Sequence, residues 1–300
     1  MEEIKEIKSV SIVPFTLMSS SISAVMGLIY ALILIIVLGL VAVFLPSTAS
    51  TILSILLTLA ITIIIILPVG SFLLSILSSF LVALIYNLLV PRVGGIKLGM
   101  VDMKEIISMP VIPLSLMLSA VYTILTFLIM LIVAPLMMLV IQGTAIAAVS
   151  STSAVSELGG LGALGIIGII LMIIVTPIVV FIITFVYSAL LALLYNFLAP
   201  KMGGIRLKFS SVKDNLFEIR KIKPVPLALI LAVVTTVLNF LFSITQIIMY
   251  FAVGEPLFAV GYLLFDTVGY FIVMFVIYII MTVVYNFLRP IIGGVELELE

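Results

Sequence analysis

Long apolar stretches alternate along this chain with short stretches in which apolar and polar residues take turns, and this order occurs three times. The stretches 15–44, 114–141 and 227–252 are apolar on every face, which at this length predicts helices that cross a membrane. A turn and a second long apolar stretch follow each of them. The pattern therefore predicts about six membrane-spanning helices arranged as three hairpins.

The short stretches that flank each hairpin have a period of two, which is typical of strands. The leading stretches cover 4–14, 103–113 and 216–226, and each ends at a proline that suits the first turn of the next helix. One unit is therefore a leading strand, two helices and a closing strand. Because two spans return the chain to its starting side, all strands are predicted on one face of the membrane.

The returning helix of each unit ends in the same motif, which is Tyr-Asn, an apolar run, a proline and Gly-Gly. Proline disfavours helix at the residue before it, and glycine permits the left-handed turn that stops a helix, so these residues predict the helix end. The motif residues, predicted to be structural, are Tyr86, Asn87, Gly94, Gly95, Tyr195, Asn196, Gly203, Gly204, Tyr285, Asn286, Gly293 and Gly294. The corresponding units are 1–99, 100–209 and 210–300.

Composition agrees with a membrane location. Of the 300 residues, 65% are hydrophobic and 9% are charged, whereas about a quarter of a soluble domain is charged. Lipid must therefore be the solvent of most of the surface. The predicted fold is an all-α membrane bundle with a small β layer, built from three units with pseudo-threefold symmetry.

The charged residues predict an orientation. All thirteen lysines and arginines lie in the strands or their linkers, and the outer turns carry only Glu157 and Glu255. Because positive residues accumulate on the cytoplasmic side, we expect a multi-pass protein of the cell membrane with its strands and both termini cytoplasmic. The closing strands differ in sign, with Lys97 in the first against Glu296 in the third. Opposite charges on neighbouring strands, simple solvation and a docking platform for a cytoplasmic partner all remain open.

The third unit departs from the other two inside the membrane. Asp266 stands where the first two units have Leu67 and Thr176, counting back from the tyrosines, and Asn239 and Gln246 share one face of the preceding helix. Ionisable residues within membrane spans are functional hypotheses. These three residues form a candidate polar path for an ion or solute, or lie at the outer interface with no further role.

Two local patterns have two readings each, and a third has one. The asparagines either tie the returning helix to the strand layer or line a polar constriction around the axis. The small residues of 144–165 predict either a flexible loop or a packing surface. Pro68 and Pro177 stand at equal distances before their tyrosines and predict kinks in the returning helices.

The chain contains neither cysteine nor histidine. This excludes disulfides and thiolate chemistry and removes the commonest metal ligand. No phosphate-binding loop surrounds the Gly-Gly pairs. We therefore predict no enzyme activity, no cofactor, no metal and no nucleic-acid partner.

At the motif, the chain resembles a family of small bacterial, mainly actinobacterial, membrane domains of unknown function that are often encoded beside DNA gyrase. Tyr285-Asn286 and Gly293-Gly294-Val295-Glu296-Leu297 carry the resemblance best. It extends over the whole chain as three tandem units, whereas family members usually carry one. The resemblance implies a two-helix transmembrane unit and no chemistry, because the family has no established activity.

The expected function is structural: a membrane scaffold that acts through self-association as a homo-oligomer or through a cytoplasmic protein partner. Few polar groups within the helices and a surplus of apolar length favour it. The alternative is a passive channel or small-solute transporter that uses the candidate polar path.

Overall fold

The computed structural model describes residues 2–44, 49–150 and 158–300. Its helices are α1 Ile12–Phe44, α2 Ala49–Val93, α3 Val111–Ser150, α4 Leu158–Met202, α5 Pro224–Ala252, α6 Pro256–Leu264 and α7 Tyr270–Ile292. A π-helical turn, Phe265–Gly269, joins α6 to α7. The strands are β1 Glu2–Val10, β2 Lys97–Val101, β3 Glu105–Ser108, β4 Ile205–Lys213, β5 Leu216–Ile222 and β6 Glu296–Leu299.

Within the described residues, six helical stretches are long and apolar enough to cross a membrane, with α6, the π turn and α7 counting as one. This confirms the predicted number of helices and the class of multi-pass membrane protein. The helices pack as the hairpins α1–α2, α3–α4 and α5–α7. Further contacts of α2 with α3, α4 with α5 and α7 with α1 close the bundle into a ring.

The six strands form a closed antiparallel barrel in the order β1-β2-β3-β4-β5-β6, rather than an open layer. Closure comes from β1, which pairs with β2 on one side and with β6 on the other. A barrel leaves no sheet edge exposed along its paired length, which an open layer would do twice. We call the end of the bundle that carries it the barrel end, and the opposite end the far end.

The closing strands are β2, β4 and β6, and the leading strands are β1, β3 and β5. Each closing strand lies between two leading strands, so the closing strands do not pair with one another. The opposite charges of the closing strands therefore do not face one another directly. In the β4–β5 ladder, Lys208 even stands opposite Lys221, a residue of the same sign. Glu300, which directly follows β6, instead lies beside β1, and one of its carboxylate oxygens is 3.4 Å from Lys8 Nζ.

The barrel interior and the base of the bundle share one hydrophobic core. Leu98, Met100 and Leu207 of the barrel belong to the same buried cluster as Ile230 and Leu238 of α5. The barrel and the helices are therefore packed against each other through a continuous hydrophobic core.

The returning helices end directly before the first motif glycine, and the motif prolines do not stop them. Pro91, Pro200 and Pro290 lie inside the last turns of α2, α4 and α7, which continue two residues further. Because a proline removes only one hydrogen bond, a helix can pass it, and the first glycine of each pair, with φ between +84° and +87°, stops it instead.

At the far end, the predicted loop 144–165 is helical over 144–150 and 158–165, and 151–157, which includes Glu157, lies outside the described residues. The first outer turn also falls largely outside them. Pro68 and Pro177 lie within the continuous helices α2 and α4.

Candidate functional site

Each motif tyrosine joins two strands of the barrel. Tyr195 Oη donates a hydrogen bond to the Ile106 carbonyl at 2.5 Å and accepts one from the Ile205 N–H at 3.0 Å. Tyr86 does the same with Ile7 and Ile96, and Tyr285 with Ile219 and Val295. The returning helix therefore holds its own closing strand and the neighbouring leading strand through one hydroxyl.

Each motif asparagine pairs with the backbone of one residue as a neighbouring strand would. In the second unit, Asn196 Nδ2 donates to the Met109 carbonyl at 2.8 Å and its Oδ1 accepts the Met109 N–H at 2.7 Å. Asn87 binds Val10 and Asn286 binds Ile222 in the same two-bond manner. The structure thus places the amides on the ends of the leading strands.

Three glutamates that sequence reasoning did not single out complete the junctions. Glu6, Glu105 and Glu218 each accept the N–H of the second motif glycine, at 2.7, 2.8 and 2.7 Å. The signal was present in the sequence, because each is followed by isoleucine and stands eight residues before the proline that opens the next helix. We refer to the three sets of tyrosine, asparagine and glutamate as the junctions.

The second glycine of each pair is required by close approach. A Cβ on Gly204 would overlap the Ile106 carbonyl oxygen, and one on Gly95 would overlap that of Ile7. The glycine N–H can therefore reach the glutamate only because no side chain separates the two backbones.

The junction carboxylates are also paired with cations. Glu218 accepts hydrogen bonds from Arg289 Nε at 2.9 Å and Nη2 at 2.5 Å, which makes a bidentate ion pair. Glu6 lies 3.2 Å from Lys8 Nζ, and Glu105 lies 3.2 Å from Arg206 Nε. The Arg289 hydrogen bonds, followed by the Gly294 N–H, hold the pKa of Glu218 below its usual value. The Gly95 N–H, with help from Lys8, lowers the pKa of Glu6.

These lowered pKa values predict acid sensitivity. A carboxylate with a lower pKa in the folded state contributes stability above its ordinary pKa of 4.5, and this contribution is lost as pH falls through the folded-state value. We expect the midpoint temperature of thermal unfolding, measured in detergent, to decrease when the pH is lowered below about 4.5. A Glu6→Gln, Glu218→Gln double variant should show a flatter acid limb, and Glu255→Gln at the far end should keep the wild-type slope. Equal slopes for the two variants would contradict the assignment.

Asp266 lies in the π-helical turn and contacts α5. Asn239 Nδ2 donates to Asp266 Oδ1 at 2.8 Å and to its backbone carbonyl at 3.2 Å. The second carboxylate oxygen, Oδ2, is buried and has no hydrogen-bond partner among the described residues. Gln246, predicted on the same path, makes no hydrogen bond with either residue. The structure therefore joins two members of the candidate path and leaves the third apart.

The first unit has a different contact at the position that corresponds to Asn239. Counting from Pro14 and Pro226, Asn239 takes the place of Gly27, which packs against the backbone of Leu67 and Pro68. A close backbone contact in one hairpin is therefore replaced by an amide–carboxylate contact in the other. Asp266 precedes Tyr285 by nineteen residues, about 28 Å along a helix, which places it near the far boundary of a core of roughly 30 Å.

Within the described ranges, no cluster of acidic residues could hold a metal ion. No family model, no curated protein and no solved structure matches this chain. The resemblance to actinobacterial membrane domains therefore stays a prediction.

Proposed function

We propose that this chain is a non-catalytic scaffold of the cell membrane, built from three strand–helix–helix–strand units about a pseudo-threefold axis. The observation that carries the proposal is the use of the junction side chains. The tyrosine and asparagine side chains of all three junctions bind backbone groups at the barrel, and the glutamates bind a backbone N–H and a cation, so these groups fasten the barrel to the bundle. A barrel fixed in this way is a rigid platform.

Charge supports a cytoplasmic position for the platform. Lys97, Arg206 and Lys208 lie in the barrel strands, while Arg92 and Lys201 lie in the last helical turns above it. At the far end, the only charged residue in the described α5–α6 turn is Glu255. The positive-inside rule then places the barrel and both termini in the cytoplasm.

Surplus helix length supports self-association. Helices α2 and α4 have 45 residues each, about 67 Å, which is roughly twice the thickness of the hydrocarbon core. Their far portions expose large apolar side chains, such as Ile61 at 70% and Ile166 at 63%. Tilting of these helices in the bilayer, together with contact with another copy, would bury such surface.

A second function, a passive channel or transporter, is favoured by one observation. The unpartnered Asp266 oxygen is buried in a π-helical turn, and π-bulges occur frequently at functional sites. An ion or proton that binds there would supply the missing partner. Both this function and the scaffold can be tested on the same preparation.

The test uses the full chain with one fluorophore on each copy, reconstituted into phosphatidylcholine vesicles. The ratio of protein to lipid is lowered in steps, because association depends on concentration. A scaffold predicts a fixed number of photobleaching steps per particle that survives lipid dilution, and K⁺ and pH gradients that decay as slowly as in empty vesicles. Single steps together with rapid, protein-dependent decay of a gradient would overturn the scaffold in favour of the channel.

A further inference from the structure

The barrel contains a cavity of about 820 Å³ to which all six strands contribute lining residues. It lies where β4 separates from β3: these strands pair only at Glu105↔Arg206 and Ile106↔Ile205, while β4 continues beside β5 as far as Lys213. The cavity thus opens between the β2–β3 turn and the β4–β5 hairpin. Its volume falls within the roughly 300–1,000 Å³ of small-molecule sites.

Positive charge dominates the wall of this cavity. Its cationic residues are Lys5, Lys104, Arg206, Lys208 and Lys223, and its carboxylates are Glu3, Asp102 and Glu105. Glu3 lies 3.8 Å from Lys5, and Glu105 lies 3.2 Å from Arg206. The other three cations form no ion pair with any residue that the structure describes. Asp102 forms no ion pair with a described residue either, so three unpaired lysines stand against one unpaired carboxylate. A cleft with an excess of unpaired positive charge concentrates anions.

The backbone brings the three unpaired lysines around one short piece of β4. The Leu207 N–H donates to the Lys104 carbonyl at 2.7 Å, and the Lys223 N–H donates to the Arg206 carbonyl at 3.0 Å. Lys104 and Lys223 therefore flank the segment that carries Lys208. These two hydrogen bonds set the backbones of Lys104 and Lys223 beside β4, and all three lysines line the same cavity.

Apart from Ser211 and Asn215, the uncharged side chains of the wall are apolar. Phe209 and Phe217 meet edge to face with their ring centroids 6.5 Å apart, and Leu299 lies beside them. Met103, at the mouth, has a φ of +53°, and a non-glycine residue in this region is uncommon. A wall of cations next to aromatic rings fits an anion that carries an organic part better than it fits a bare ion.

We propose that this cavity binds an organic phosphate, with the phosphate among Lys104, Lys208 and Lys223 and the organic part against Phe209 and Phe217. A phosphate group offers several acceptor oxygens and up to two negative charges, which three ammonium groups can share. The ligand comes from solution or from a lipid headgroup, since Lys223 directly precedes α5 and lies at the membrane face. The proposal is independent of the scaffold function.

The test uses the full chain in phosphatidylcholine nanodiscs. ATP is titrated by calorimetry as the soluble organic phosphate, and phosphatidic acid is added to the discs as the lipid source. Lys208→Ala and Lys223→Ala should each weaken binding about tenfold, because each removes one charge-assisted contact. Lys221→Ala is the matched control: it is exposed and opposite Lys208, but does not line the cavity.

The pattern of results decides both the site and the source. ATP binding that weakens in the two cavity variants and with added salt supports a soluble ligand. Phosphatidic acid binding with the same sensitivity, without ATP binding, supports a lipid headgroup. The proposal is overturned if neither binds at about 1 mM, or if Lys221→Ala weakens binding as much as Lys208→Ala and Lys223→Ala do.

Discussion

Replacing Tyr195 by phenylalanine should destabilise the folded chain by about 2–4 kcal/mol. Its side chain is fully buried, with 0% exposure, and its hydroxyl is the partner of both the Ile106 carbonyl and the Ile205 N–H. Phenylalanine keeps the packing but leaves these two backbone groups without a partner in a site that water does not reach. The measurement is equilibrium unfolding in mixed micelles.

The matched control is Tyr122→Phe. Tyr122 lies on α3, is 45% exposed and makes no side-chain hydrogen bond with a described residue, so its loss of a hydroxyl should change stability by less than about 0.5 kcal/mol. Tyr86→Phe and Tyr285→Phe should fall between the two, because these tyrosines are slightly exposed. Equal effects of Tyr122→Phe and Tyr195→Phe would show that the hydroxyl does not fasten the barrel.

Asp266→Leu and Asn239→Leu should each destabilise the chain by about 1–3 kcal/mol, whereas the double variant should return to within about 1 kcal/mol of wild type. Each single change leaves a partly buried polar group without its partner. The double change removes both groups, and leucine at position 266 copies Leu67 of the first unit. A double-mutant cycle from equilibrium unfolding measures this coupling.

A substitution of Asp266 also distinguishes the scaffold from the channel. If Asp266 binds a cation on a conduction path, wild-type vesicles should lose a K⁺ or pH gradient and Asp266→Asn vesicles should retain it. If Asp266 is structural, wild-type and variant vesicles should hold their gradients equally while the stability cycle still shows coupling. Conduction by wild type without coupling to Asn239 would contradict the structural role.

The helices could be predicted because their cause is local. Stretches such as 15–44 are apolar on every face, and a chain in lipid must satisfy its own backbone, so length and hydropathy alone indicate spanning helices. Helix ends depend on finer geometry. Pro200 is compatible with either a helix end or a last turn, and only the backbone of Gly203, with φ +86°, decides where α4 stops.

The junction glutamates show what a local reading overlooks. Glu105 stands in an alternating strand pattern and has the appearance of a solvated position, but its carboxylate accepts the Gly204 N–H from a residue 99 positions away. The recurring Glu-Ile before the helix-opening proline was visible in all three units. What it meant depended on a partner that strand pairing alone brings near.

The sequence by itself determined the number of spanning helices, the order of strand and helix, and the tyrosines and asparagines on which the barrel depends. Only the tertiary structure decided that the strands close into a barrel, that each junction includes a glutamate, and that Lys104, Lys208 and Lys223 surround one cavity. The physical reason is range. Hydropathy and periodicity act over neighbouring residues, whereas Ile7 pairs with Leu299 and Tyr195 binds Ile106 because the folded backbone has already brought them together.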